Sequence, residues 1–124
     1  MNLLLDTHAL LWWLADAPMT TEARTRIADP EALVAVSAAS VWEISIKRAL
    51  GKLRFEGSMA GHVADGPFEP LSISLEHAER AGALPSHHRD PFDRMLVAQA
   101  QAEQLTLVTR DPAFDAYEVA LLAC

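Results

Sequence analysis

Short apolar runs alternate along the chain with longer segments in which apolar residues recur at helical spacing. The runs predict strands at residues 2–5, 33–36, 69–72 and 106–109, with a weaker fifth at 117–122. Runs of this length and composition are typical of strands buried on both faces of a parallel sheet. The intervening segments predict helices at residues 9–15, 20–28, 37–50, 74–81 and 90–104, and a short helix within 57–67.

Several boundary residues support this order of elements. Thr7 is a residue type that caps helices, so we expect it to cap the first one. Gly51 follows the third helix at the position where glycine commonly ends a helix. Asp90-Pro91 opens the most regular helix, whereas Pro70 weakens the third strand. The alternation predicts an α/β fold in which helices cover both faces of a parallel sheet. A chain of 124 residues fits a single domain over residues 1–124.

Composition limits the function classes. With 51% apolar residues the chain can fill a core, and its longest uncharged apolar stretch, residues 32–42, is too short to cross a bilayer. Its start has no basic residues and meets an acid at Asp6, unlike a signal peptide. The single cysteine, Cys124, cannot form an internal disulfide, which suits a reducing cytoplasm. No glycine-rich phosphate loop is present, which disfavours a dinucleotide or NTP function.

The net charge of −7 leaves two interpretations open. One is an acidic enzyme with a small-molecule substrate, because proteins that bind nucleic acids usually present a basic surface. The other is a protein in which carboxylates gather around a cation, so that the formal charge overstates the repulsion a phosphate would meet.

The positions of the acids favour the second interpretation. Asp6 ends the first predicted strand and Asp111 follows the fourth, and in parallel sheets sites form at this carboxyl edge. Helices that follow strands begin at the same edge. Glu43 lies near the start of the helix that follows the second strand, so it is expected there too. Asp90 and Asp93 lie in the first turn of the 90–104 helix. Five carboxylates from four separate segments are therefore expected to meet in one crevice.

The mutual repulsion of such clustered carboxylates must be offset by other groups. Two carboxylates ~4 Å apart repel by about 4 kcal/mol at an effective dielectric near ~20. A proton with a strongly raised pKa could offset this repulsion, but a divalent cation is the more natural partner for so many oxygens. Mg2+ and Mn2+ prefer carboxylate and water ligands, and a bound ion can activate water and stabilise a leaving oxygen. Metal-assisted hydrolysis of a phosphodiester follows as a hypothesis.

Each candidate also has a structural explanation. Ser40-x-x-Glu43 matches a capping box, Asp90 and Asp93 match a helix cap with its first turn, and Asp111 precedes a proline as in many turns. Asp6 is harder to explain structurally, because an acid that ends a triple-leucine strand is costly unless paired. His8 is expected at a helix start. His87 and His88 could ligate a transition metal, but two adjacent histidines in a loop are more often surface residues. The tryptophans are expected in core or interface packing: Trp12, Trp13 and Trp42. The basic residues near the acids form either a basic rim or ordinary solvated charges: Lys47, Arg48, Lys52, Arg54, Arg89, Arg94 and Arg110.

In its motifs the chain resembles PIN-domain ribonucleases of the VapC toxin family. The motifs are the L-L-L-D-T-H segment at 3–8, the S-x-W-E helix at 40–43, G-K-L at 51–53, D-P-F-D-R at 90–94 and T-R-D at 109–111. They occur in family order and spacing across essentially the whole chain. The resemblance implies a three-layer α/β/α sandwich around a central parallel sheet. It also implies the toxin of a toxin–antitoxin pair, which cleaves RNA, forms a homodimer and is inhibited by a small antitoxin protein.

The resemblance further implies Mg2+ or Mn2+ bound by Asp6, Glu43 and Asp93, with Asp111 as a common fourth acid. Asp90 would be a ligand, a neighbour of a ligand or only the helix cap. The small polar residues expected beside the acids are Thr7, Ser40 and Thr109.

Two other functions stay open from the residues alone. An Asp-based phosphatase would use Asp6 as nucleophile, but His8 stands where that chemistry needs a second acid. A non-catalytic module of the same fold would bind a protein partner and need no metal.

Overall fold

The computed structural model describes the whole chain, residues 1–124. The strands are β1 (Leu3–Leu5), β2 (Val34–Ser37), β3 (Glu69–Leu71), β4 (Thr106–Thr109) and β5 (Leu121–Ala123). The α-helices are α1 (Thr7–Leu14), α2 (Thr21–Ala28), α3 (Ala38–Ala49), α4 (Met59–Asp65), α5 (Leu75–Ala83) and α6 (Pro91–Glu103), and a 3-10 helix spans Pro112–Ala116. No helix has the length and apolar character needed to cross a membrane.

The five strands form one sheet in the order β3-β2-β1-β4-β5, and all neighbouring strands are parallel. The central strand, β1, pairs with β2 on one side and β4 on the other. Its last residue, Leu5, lies opposite Val36 of β2 and Val108 of β4. The ends of these three strands are therefore level, and the residues that follow them lie together at the carboxyl edge of the sheet.

Helices cover both faces of the sheet, as the sequence predicts for a three-layer α/β/α sandwich. Alternate residues of β1 point to opposite faces. Leu3 and Leu5 pack in a core with residues of α1, α2, α3 and α4, while Leu4 packs with residues of α6 on the other face. Because β1 is covered on both faces, all three of its leucines are fully buried. The buried leucines therefore fix the position of Asp6, the residue that directly follows the strand.

The predicted cap of the first helix is wrong, whereas the third helix starts where the sequence places it and excludes the capping-box explanation of Glu43. Asp6, not Thr7, caps α1: its Oδ1 accepts a hydrogen bond from the backbone N–H of Ala9 at 2.7 Å. In α3 the cap is Ser37, whose hydroxyl accepts from the N–H of Ala39. Ser40 and Glu43 therefore lie inside the helix and do not form a capping box at its start. The hydroxyl of Thr7 and the carboxylate of Glu43 are therefore not occupied by capping bonds.

The two weak strands are present. β3 forms despite Pro70 because it lies at the edge of the sheet, where a residue without an N–H is tolerated. β5 begins at Leu121, four residues after Tyr117, where the sequence placed its start. Tyr117 instead packs in the core beside α6.

Candidate metal centre

Asp6 is an almost completely buried acid, with 4% of its surface exposed. Burial raises the pKa of Asp6 above its usual value, and hydrogen bonds from the Thr109 side chain and the Ala9 N–H oppose this rise. The charge of Asp111 raises the pKa of Asp6 further, so these two acids lie close enough to interact. The end of β1 thus carries a carboxylate that is costly to keep charged without a nearby cation.

Glu43 is buried on α3, with 8% of its surface exposed, and both of its oxygens have partners. Oε1 accepts a short hydrogen bond, 2.6 Å, from the hydroxyl of Thr7, and Oε2 lies 3.2 Å from Nζ of Lys47. The same Thr7 hydroxyl lies 3.2 Å from Oγ of Ser40. Thr7 follows Asp6 directly, so this small polar group ties the start of α1 to the acid on α3.

Asp93 is a half-buried acid in the first turn of α6. Burial raises the pKa of Asp93 to about 6, and the charges of Asp90 and Glu43 add to the rise, whereas the hydrogen bond and charge of His88 oppose it. Oδ2 of Asp93 lies 2.7 Å from Nε2 of His88. The charge of Glu43 on α3 therefore acts on the acid of α6.

Asp90 and Asp111 are both helix caps. Oδ1 of Asp90 accepts hydrogen bonds from the N–H groups of Phe92 at 2.9 Å and Asp93 at 3.2 Å. Oδ1 of Asp111 accepts from the N–H of Ala113 at 2.9 Å, at the start of the 3-10 helix. The capping explanation is therefore correct for these two acids. A carboxylate has two oxygens, however, and a cap occupies only one of them.

A hydrogen bond and several charge effects link the acids in pairs near the carboxyl edge of the sheet. Asp111 interacts with Asp6, Thr7 links the start of α1 to Glu43, and Glu43 interacts with Asp93. Thr109 contributes to this connection, since it bonds the N–H of Asp111 and favours the charged form of Asp6. Of the basic side chains, Lys47 alone forms an ion pair with one of these acids. Oxygen-rich and short of positive charge, the cluster fits a hard divalent cation.

For the adjacent histidines His87 and His88, the sequence favours surface positions over metal ligation. Only His87 fits that description: it is exposed, with its ring against Tyr117. His88, Asp90 and Asp93 each offer one ligand atom, and these atoms all lie within 4.8 Å of one another. The sequence did contain a signal for this contact. His88 lies two residues before the helix cap Asp90, and a residue in that position can reach the first turn of the helix, where Asp93 lies.

Most of the basic residues near the acids have structural partners, so they do not support the idea of a basic rim. Arg110 lies over the ring of Trp12 at 3.7 Å and bonds the carbonyls of Pro18 and Cys124. Arg48 bonds the carbonyls of Phe55 and Gly57. The basic side chains without a hydrogen-bond or ion-pair partner are Lys52, Arg54 and Arg89, and all three are exposed.

Arg94 holds the loop that carries His88. Its guanidinium bonds four backbone carbonyls at 2.9–3.3 Å, those of Ala81, Leu84, Pro85 and His88. The D-P-F-D-R segment therefore supplies two acids and also the anchor for the loop in front of them.

We expect Arg94→Ala to lower the free energy of unfolding by about 2–3 kcal/mol, because it removes several charge-assisted hydrogen bonds at once. Urea denaturation measures this loss. Arg89→Ala, which removes an exposed arginine of the same loop, is the control and should change stability by less than about 0.5 kcal/mol. Equal stability of the two variants would show that the loop does not depend on Arg94.

Comparison with known proteins identifies the class. The family model described as "PIN domain" matches residues 3–120, so the chain belongs to the PIN-domain family. The match includes every acid of the cluster. The family assignment made from the motifs is thereby confirmed.

Individual proteins and solved structures are also similar to this chain. Ribonuclease VapC22 of Mycobacterium tuberculosis (strain ATCC 25618 / H37Rv) is 31% identical over 118 residues, which cover 89% of this chain and 87% of the relative. The structure of VapBC2 from Rickettsia felis, bound to a DNA fragment from its promoter, aligns with a TM-score of 0.76 at 16% identity, covering 100% of this chain and 99% of that chain. A toxin–antitoxin complex from Klebsiella pneumoniae aligns with a TM-score of 0.66 at 21% identity, covering 97% and 95%. At these identities the two structures establish the fold.

Proposed function

We propose that this protein is a metal-dependent endoribonuclease and the toxin of a toxin–antitoxin pair. The observation that carries the proposal is the set of acids linked in pairs near the carboxyl edge of the sheet, with Asp6, Glu43 and Asp93 as its core. The PIN-domain family and the relative named as a ribonuclease support RNA as the substrate. Asp111 belongs to the same proposed metal and catalytic centre, and Asp90 contributes to it from the helix start.

The proposed ion is Mg2+ or Mn2+. When bound, a divalent ion lowers the pKa of water and stabilises the developing charge on the phosphate. The residues of the chain have distinct tasks around it. Asp6, Glu43 and Asp93 hold the ion, Asp111 extends the acid group on the Asp6 side, and Thr7, Ser40 and Thr109 orient the acids through hydrogen bonds. Lys47 limits the negative charge at Glu43 through its ion pair.

Expression with and without the reading frame expected directly upstream tests this function in cells. We expect growth arrest when this chain is expressed alone, rescue by the neighbouring frame, and new RNA ends that are absent with Asp6→Asn. Unchanged RNA ends in arrested cells would contradict a ribonuclease activity. Trapping of a phosphoaspartate at Asp6 would instead favour the phosphatase.

The hydrogen bond from Thr7 to Glu43 provides a more specific test of the site. We expect Thr7→Val to weaken Mn2+ binding by about 10–100-fold, the usual cost of removing a group that orients a metal ligand. Isothermal titration calorimetry measures the affinity. Thr7→Ser keeps the hydroxyl and should bind Mn2+ within about threefold of the wild type. Equal losses in both variants would mean that Thr7 acts through its methyl group and not through Glu43.

We also propose that the partners are a small antitoxin and a second copy of this chain, and that the protein acts in the cytoplasm. The structural neighbours in toxin–antitoxin complexes support the first partner. For the second, α3 presents Trp42, Ile46 and Leu50 at four-residue spacing on one exposed face, with 61%, 38% and 64% of their surfaces exposed. An apolar stripe of this kind is costly in water and suits an interface between identical helices.

Leu50→Glu tests the homodimer, since a symmetric interface would place two such charges against apolar surface. We expect the variant to sediment as a monomer at concentrations at which the wild type is a dimer. Leu75→Glu changes another highly exposed leucine, on α5, and serves as the control. A wild type that is monomeric at high concentration would exclude the dimer.

A further inference from the structure

The loop before α6 places an imidazole among carboxylates. One ligand atom each from His88, Asp90 and Asp93 lies within 4.8 Å of the others. We propose that these three residues form a mixed nitrogen and oxygen cation position that favours a first-row transition ion over Mg2+, with His88 as a direct ligand. The proposal rests on the proposed function, because Asp93 would contribute both to this cation position and to the metal centre formed with Asp6 and Glu43.

The distances suit a single ion. Ligands bind such ions at about 2.0–2.2 Å, so two atoms on opposite sides of an ion lie about 4.0–4.4 Å apart. The three ligand atoms of His88, Asp90 and Asp93 all lie within 4.8 Å of one another, which is the scale of a single coordination sphere. Nε2 of His88 and Oδ2 of Asp93, at 2.7 Å, are close to the spacing of neighbouring ligands.

The position is built into the fold. Arg94 bonds the carbonyl of His88 at 3.3 Å and three other carbonyls of the preceding residues, so the backbone that carries the imidazole is fixed. The edge of the His88 ring faces Phe114, a buried residue, with ring centres 6.3 Å apart. Asp90 is held by its two capping bonds through Oδ1. Because each of the three ligands is fixed, binding would order few additional groups.

The donor set determines which ion is favoured. Mg2+ takes oxygen ligands and keeps several waters, whereas imidazole suits transition ions, whose affinity for nitrogen rises from Mn2+ towards Cu2+. Replacing one carboxylate or water by an imidazole therefore increases the preference for ions such as Co2+ and Zn2+. A surface histidine, or one that only orients Asp93, would not produce this selectivity.

The test compares Co2+ and Mg2+ binding by isothermal titration calorimetry to untagged protein carrying His88→Gln. Glutamine keeps an N–H that can bond Asp93 but lacks the imidazole. We expect the Co2+ dissociation constant to rise at least about tenfold and the Mg2+ constant to change less than about twofold. The electron spin echo of bound Mn2+ should show an imidazole nitrogen in the wild type and lose it in the variant. His87→Gln, the adjacent histidine, is the control and should behave as the wild type.

Several outcomes would overturn the proposal: no change in Co2+ affinity, an equal loss for Co2+ and Mg2+, or the absence of the nitrogen signal. Circular dichroism and thermal melting of both variants identify any loss of fold. RNA cleavage by the wild type separates this proposal from the proposed function. A wild type that binds Co2+ through His88 but cleaves no RNA refutes only the nuclease, whereas cleavage with unchanged Co2+ binding in His88→Gln refutes only the role of His88.

Discussion

Asp6→Asn and Asp93→Asn are each expected to reduce RNA cleavage by more than about 100-fold while the protein remains folded. Removing even a residue that orients a metal ligand costs about 10–100-fold, and these two carboxylates are proposed to bind the ion directly. Asparagine preserves the shape of the side chain, and at Asp6 it can still cap α1 through its oxygen. The measurement is the cleavage rate at saturating Mg2+ or Mn2+, together with thermal melting of each variant.

Asp65→Asn is the matched control for both variants. Asp65 ends α4 just before β3, so it lies at the opposite, amino edge of the sheet and is exposed. We expect this variant to cleave RNA at the wild-type rate. If Asp6→Asn or Asp93→Asn did the same, the residue concerned would not belong to the catalytic centre.

The second large effect concerns stability and pH. In the absence of divalent ions, the free energy of unfolding should fall as the pH rises from about 4 to about 7, by about 1–3 kcal/mol. The cause is Asp93: burial raises its pKa from 3.8 to about 6 in the folded protein. Between these two values the folded state binds more protons than the unfolded state, and stability decreases with pH wherever this holds. The burial of Asp6, which also raises its pKa, acts in the same direction.

Asp93→Asn should remove most of this dependence, because asparagine does not titrate. The variant should be more stable than the wild type at pH 7 without divalent ions, although it has lost activity. Urea denaturation at several pH values, with a chelator present, measures both effects. Added Mn2+ should stabilise the wild type most at high pH, where the acids are charged, and should stabilise Asp93→Asn much less. A wild type that gains stability from pH 5 to pH 7 without ions would contradict the assignment of Asp93.

The order of elements could be predicted from the sequence because it depends on local patterns. The triple leucine of β1 and the apolar runs of β2 and β4 are short, fully buried and followed by polar residues, so both the strands and the edge at which they end are recognisable. The expectation that Asp6, Glu43 and Asp93 meet at that edge follows from parallel strands whose ends are level. These arguments require only the topology.

The contacts within the site could not be predicted in the same way. The bond from Thr7 to Glu43 depends on α1 starting two residues earlier than the apolar pattern indicates, because Asp6 takes the capping role. The place of His88 beside Asp93 depends on a loop whose path is set by four hydrogen bonds from Arg94. Side-chain bonds to backbone carbonyls have no periodicity, so they leave no pattern in the sequence.

The central claim is that carboxylates from separate segments share one ion at the edge of the sheet. The most direct measurement is a crystal structure grown with Mn2+, with an anomalous difference map collected to locate the ion. The account predicts a peak bonded to oxygens of Asp6, Glu43 and Asp93 together. Mn2+ bound elsewhere, with these three carboxylates touching no ion at saturating concentration, would contradict it.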